Sequence, residues 1–165
     1  MAKRQPITPE RVRELFDYDP LTGILKWRAS ARRRGGKHKA GDVAGSDDSK
    51  GYFQVCADYR VMRLHRVIWC WMTGAWPSSG LAVDHADGNG KNNVWANLRL
   101  ATHSQNMANS RLRSTNTTGM KGVYYDKIRR KWYAYVRVEF PSAQEARAAY
   151  RKIATAAFGE FARFA

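Results

Sequence analysis

The sequence predicts an α+β chain with three parts: a small N-terminal α/β region, a strand–loop–strand–helix (ββα) unit, and a shortened β-hairpin followed by a helix. Three observations predict it. Strand-length runs come in pairs around turn-rich loops, as in Leu81–His85 and Asn97–Ala101. Apolar residues recur at helical spacing within other stretches, such as Leu64–Thr73. Helix start and stop signals bound those stretches: Thr8-Pro9, Gly74, and the Thr-x-x-Gln and Ser-x-x-Glu boxes at Thr102/Gln105 and Ser142/Glu145. The expected parts are residues 1–63, 64–112 and 113–165.

In the first part, Pro9 suits the first helical position, and Val12, Leu15 and Phe16 fall on one helix face. Asp19 to Gly23 (DPLTG) reads as a turn, Ile24 to Arg28 as a strand, and residues 31–51 as a Gly- and Arg-rich loop. Tyr52–Ala57 and Tyr59–Arg63 read as a hairpin turning near Asp58. In the second part, Val67, Ile68, Trp71 and Met72 form the buried stripe of a helix that ends at Gly74. Trp76-Pro77 stops any continuation. The strand Leu81–His85, the polar loop ADGNGKNNV, the strand Asn97–Ala101 and a helix from Thr102 complete the ββα unit. In the third part, Trp132, Ala134, Val136 and Val138 share one strand face, expected to pack on the helix; Tyr133, Tyr135 and Arg137 share the other. Ala146, Tyr150, Ile153 and Ala157 make that helix's stripe.

Composition narrows the partners. The chain has 165 residues, a net charge of +15 and 44% hydrophobic residues, so it can bury a core and attracts phosphate polymers or anionic surfaces. No apolar run approaches the roughly 18 residues that a membrane helix needs. The start, MAKRQPITPE, has no apolar stretch behind its basic residues, as a secretory signal would. Nucleic acid is the expected partner, with no membrane, in a cytoplasmic setting. Cys56 and Cys70 form no CxxC pair, so no structural zinc is expected. Charge is uneven: residues 1–63 carry net +6, 64–106 net +1 and 107–165 net +8. A nearly neutral centre between basic flanks leaves room for a cation while the flanks hold a nucleic-acid backbone.

Within that centre stand Asp84, His85, Asn97 and Asn106. A carboxylate and an amide offer hard oxygens to one Mg²⁺ or Mn²⁺, one per active site, leaving the rest of its shell to water and phosphate. Asp84 and Asn106 are the candidate metal ligands. His85 follows Asp84, so its ring leaves the strand on the opposite side, where it can take a proton from an attacking water. Asn97 is the candidate for holding that ring, through its side-chain or backbone carbonyl.

The stretch VDHADGNGKNNVWANLRLATHSQN resembles the HNH endonuclease motif in the variant ending in Asn. The pattern FDYDPLTGILKW…GDVAGSDDSKGYFQV…RLHR is similar to the N-terminal region of phage-type HNH proteins. The stretches NTTGMKGVYY and KWYAYV, with the tail AAYRKIATAAFGEFARF, resemble an AP2-type DNA-binding domain lacking most of its third strand. These resemblances imply a homing-type, metal-dependent DNA endonuclease that hydrolyses phosphodiester bonds in duplex DNA. They imply DNA contacts from Arg32, Arg33, Arg34, His65, Arg66, Arg99, Lys121, Arg129, Arg130, Lys131, Tyr133, Tyr135 and Arg137. His65 belongs to the His-Arg pair that precedes the motif. Arg99 is expected on the face opposite Leu98 and Leu100. One site per chain suits a monomer that nicks, and a double cut needs a dimer or two events. The alternative reading is a non-catalytic DNA-binding protein or a decayed nuclease. An RNA-binding protein fits the charge but leaves the Asp-His-Asn-Asn set unexplained.

Overall fold

The computed structural model describes residues 7–28, 38–112 and 114–162. It divides into two compact units, Met1–Arg111 and Leu112–Ala165. Arg32, Arg33 and Arg34 lie outside the described residues.

The first unit opens with helix α1 (Pro9–Leu15), capped by the Thr8 hydroxyl, which accepts from the Arg11 amide at 3.2 Å. Phe16 is not on that helix, as its spacing suggested. It begins strand β1 (Phe16–Asp19), which pairs antiparallel with β2 (Ile24–Trp27), Phe16 opposite Trp27. The reason is the turn between them. Asp19 accepts from the Leu21 amide and the Thr22 hydroxyl, and Gly23 takes φ +73°, so the chain reverses tightly and both flanks become strand. A short β3 (Ser46–Asp47) joins the expected hairpin, β4 (Phe53–Ala57) and β5 (Arg60–Arg63), in a three-stranded sheet. Asp58 and Tyr59 turn that hairpin with positive φ.

Helix α2 (Leu64–Thr73) follows β5 directly and ends at Gly74 in the left-handed conformation. It is the hub of the core: Val67, Ile68 and Cys70 are fully buried with Val12, Phe16 and Leu25. Trp71 and Met72 are half-buried at its margin. Trp71 donates its indole N–H to the Phe16 carbonyl at 3.0 Å, tying α2 to β1. Strands β6 (Leu81–His85) and β7 (Leu98–Thr102) pair antiparallel, with a 3-10 turn (Trp95–Asn97) leading into β7. Helix α3 (His103–Asn109) begins at a complete capping box between Thr102 and Gln105. Val83 and Leu98 join the same core as α1, β1, β2 and α2. The boundary expected after Arg63 therefore falls inside one packed unit.

The second unit holds β8 (Val123–Asp126), β9 (Lys131–Ala134) and helix α4 (Ala143–Phe158), capped by Ser142. The expected hairpin and helix form, but the packing expected between them does not. Trp132 is 60% exposed, and Val136, Val138, Tyr150 and Ile153 are also exposed; Ala154 is the buried residue of the helix. β9 stops at Ala134, so Val136 and Val138 lie beyond the strand that was to align them. Two strands without a third give too little face to cover a four-turn helix. Rings stack within the hairpin instead: Tyr124 on Tyr133 at 5.3 Å and Tyr125 beside Trp132 at 5.0 Å.

One glycine carries the junction between the N-terminal hairpin and the ββα loop. A Cβ on Gly23 would sit 2.5 Å from the Val94 amide nitrogen and 2.6 Å from the Asn93 carbonyl carbon. Gly23→Ala therefore meets both backbone strain at positive φ and a backbone clash. It is expected to destabilise the chain by about 2 kcal/mol or more, read as a lower urea midpoint at unchanged slope.

Candidate active site

Strand β6 delivers Asp84 and His85 to its two faces, as alternation requires. Both are buried, at 6% and 4% exposure. Burying a carboxylate demands partners, and Asp84 has two. Its Oδ2 accepts from Arg99 Nε at 3.0 Å, and both its oxygens accept from Asn109 Nδ2 at 3.1 Å. Arg99 is thus on Asp84's side of the hairpin, directly opposite it in the β6–β7 register. As alternation along β7 requires, it stands on the face opposite Leu98 and Leu100, as expected; of those two, Leu98 is buried and Leu100 is 37% exposed.

The helix amide that reaches Asp84 is Asn109, one turn beyond Asn106. Asn109 also donates to the His85 carbonyl at 2.7 Å, so it ties α3 to the end of β6. Asn106 is half-buried, three residues earlier and on a neighbouring part of the same helix face, and no hydrogen bond joins it to Asp84 among the described residues. Only the packing angle of a short helix on a hairpin decides which of two amides one turn apart comes closest.

No hydrogen bond joins Asn97 to the His85 ring among the described residues. The Asn97 side chain closes the polar loop. It accepts from the Asp87 amide at 3.0 Å and donates to Asp87 Oδ1 at 3.0 Å and to the Asn92 carbonyl at 2.8 Å. Its backbone carbonyl accepts from the Ala86 amide at 2.9 Å. The hydrogen bonds that Asp87 accepts from the Asn89 amide, Asn92 and Asn97 hold its carboxyl below the usual carboxylate range. The ring's partner is Asn93, whose Oδ1 lies 3.2 Å from His85 Nε2. Asn93 was not singled out in the sequence. The available signal was weak: one Asn in a loop with four, where turn chemistry already accounts for such residues.

Aromatic rings enclose the other sides of His85. His65 meets it edge-on at 5.0 Å and Tyr52 tilts over it at 5.9 Å. His65 is buried at 8% exposure and its Nδ1 has no hydrogen-bond partner. It is therefore part of the wall behind His85 rather than an exposed phosphate contact. Burial, then the neighbouring His85, Arg63 and Arg66, push its pKa down to about 3. Arg66 is exposed on α2 and, with Arg60, Arg63, Met62, Ile7 and Trp76, lines an open cavity of about 660 Å³. The remaining expected DNA contacts, Lys121, Arg129, Arg130, Lys131, Tyr133, Tyr135 and Arg137, lie in the second unit; Arg129 and Arg130 form its hairpin turn, and all but the half-buried Tyr133 are exposed. His38 stacks on Trp27 at 4.8 Å, and His103 is an exposed residue at the start of α3.

The donor set suits a hard divalent cation. Asp84 offers a carboxylate, and α3 carries two amides one turn apart, Asn106 and Asn109, the second of which donates its Nδ2 to that carboxylate. No group of three or more His, Cys, Asp or Glu residues that could hold a metal ion occurs among the described residues. An ion at Asp84 would take the place of Arg99 and Asn109 as the partner of that carboxylate.

Because His65 is neutral when folded and has an ordinary pKa near 6.5 when unfolded, the unfolded chain binds more protons between pH 6.5 and about 3. Its contribution to stability is therefore complete above pH 6.5 and is lost as pH falls towards 3. Urea midpoints measured from pH 7.5 to 4 are expected to fall more steeply for the native chain than for His65→Gln.

The family described as HNH endonuclease matches residues 62–108. Protein 3.8 of Escherichia phage T7 is 37% identical over 81 residues, 49% of this chain and 66% of that protein. An uncharacterized HNH endonuclease of Acanthamoeba polyphaga mimivirus is 32% identical over 117 residues, 68% of this chain and 62% of that protein. The chain thus spans less than two thirds of the length of these relatives. A structure of the HNH homing endonuclease I-HmuI overlaps with a TM-score of 0.42 at 24% identity, covering 57% of this chain and 50% of that one. The segment that matches the HNH endonuclease family comprises the end of β5, α2, the β6–β7 hairpin and nearly all of α3.

Proposed function

We propose that the chain is a metal-dependent endonuclease acting on duplex DNA, with His85 as general base. The observation that carries this reading is the division of labour across β6. Asp84 on one face stands among hydrogen-bond donors that a cation can replace, while His85 on the other is buried, oriented and ringed by aromatic groups. The HNH match over the same residues supports it, as do the basic flanks, which suit binding to phosphate backbone by counterion release.

In this reading a water attacks phosphorus in line with the 3′ oxygen. Its proton passes to the His85 imidazole, the bond from phosphorus to the 3′ oxygen breaks, the departing oxygen takes a proton from solvent, and the products carry a 5′-phosphate and a 3′-hydroxyl. Asp84, with an amide oxygen of Asn106 or Asn109, would hold one Mg²⁺ or Mn²⁺. Such an ion lowers the energy of the charge that gathers on the phosphate and the departing oxygen. Arg99, beside Asp84 with its side chain half exposed, would pair with a phosphate oxygen. The polar loop tied by Asn97 keeps His85 at the mouth of the hairpin. The arginine-lined cavity on α2 and the basic turn of the second unit supply backbone contacts.

Nicking of supercoiled plasmid in Mg²⁺ or Mn²⁺ tests the reading. His85→Ala is expected to lose about 10²–10⁴-fold in rate while keeping its affinity for DNA; full activity in that variant would overturn the assignment of the base. Asp84→Asn is expected to need much more metal for half-maximal rate, and an unchanged metal titration would remove Asp84 as a ligand. Binding of the native chain without nicking at any metal concentration would favour the non-catalytic DNA-binding reading.

A further inference from the structure

We propose that Asn93 is the positioning residue for His85, and that the N-terminal β1–β2 hairpin is the support that holds Asn93 in place. The orientation of Asn93 follows from its contacts. Its Nδ2 donates to the Lys91 carbonyl at 3.3 Å, which leaves Oδ1 directed at His85 Nε2. An amide oxygen can only accept, so Nε2 must carry the proton of the neutral ring. The lone pair that can accept a proton is then the one on Nδ1. His65 and Tyr52 contact the ring through their aromatic faces and edges and give it no competing hydrogen bond among the described residues.

Asn93 is in turn fixed from outside the HNH domain. It is 3% exposed. Its backbone carbonyl accepts from the Tyr18 hydroxyl at 2.7 Å. Burial pushes the Tyr18 phenol up to about 12, so it remains a donor at any working pH. The Trp95 amide donates to the Pro20 carbonyl at 3.1 Å, and Gly23 lies flat against the Asn93–Val94 peptide. Two contacts from one hairpin thus reach the residue that holds the ring, and a third from the same hairpin holds Trp95, two residues on. Residues 16–27 lie outside the matched segment 62–108, yet they set the geometry of its base.

The catalytic half of this inference rests on the nuclease reading; the tautomer half does not. Long-range proton–nitrogen NMR of the full chain labelled at histidine nitrogen, at a pH where His85 is neutral, reads the tautomer directly, with His85→Ala identifying the signal. The native chain is expected to show His85 protonated at Nε2, and Asn93→Ala to show a mixture of tautomers. In the nicking assay Asn93→Ala is expected to lose about 10–100-fold in kcat, the range typical of residues that orient a reactive group, with DNA affinity unchanged. Asn93→Asp keeps an acceptor and is expected to retain the Nε2–H form and more of the rate. Tyr18→Phe is expected to lower kcat in the same direction by less. A native ring protonated at Nδ1 would overturn the proposal. So would an Asn93→Ala chain with an unchanged ring spectrum and kcat. If Asn93→Ala does not fold, the native spectrum and the Tyr18→Phe rate decide. A native chain that never nicks DNA would sink the nuclease reading alone, since the ring spectrum is read without substrate.

Discussion

The first unit depends on one constraint: a polar ring, His85, is buried beside a buried carboxylate at the end of a strand. A buried polar group costs roughly 1–3 kcal/mol when left unpaired, so each surrounding element must supply a partner or a ring face. The loop supplies Asn93, α2 supplies His65, and the residue before β4 supplies Tyr52. On the other face, β7 supplies Arg99 and α3 supplies Asn109. The positions of four elements are therefore set around two adjacent residues.

Two glycines make this closeness geometrically feasible. Gly23 lets the N-terminal hairpin lie on the Asn93–Val94 peptide. Gly90 lets the other side of the loop lie on Gly51 and Tyr52, where a Cβ would sit 2.5 Å from both the Gly51 carbonyl and the Tyr52 ring. The loop is thereby gripped from two sides, and ion pairing of Lys91 with Asp47 adds a third attachment. The polar loop is thus held by contacts on three sides, beside the packing of Trp95 on the core. That suits a group which must be oriented before substrate arrives.

The second unit follows a different logic. It buries little, and its aromatic and cationic side chains face outward. A hairpin of stacked rings with a basic turn holds its own shape through Asp126, which accepts from the Ile128 and Arg129 amides, each at 2.9 Å. Its apolar exposure is the kind that marks interaction surfaces.

The order of the elements was legible from local signals alone. Thr8-Pro9, Gly74, the Thr102/Gln105 box and the Ser142 cap each act within one turn of chain, so residue identity suffices to place them. The Asp84-His85 pair and its strand were legible for the same reason. What the sequence could not decide was which distant groups meet. Asn109 rather than Asn106, Asn93 rather than Asn97, and the exposed helix of the second unit all depend on how elements pack and twist. Those choices turn on angles and clearances of about an ångström between parts far apart in the chain, and no local pattern of residues carries that information.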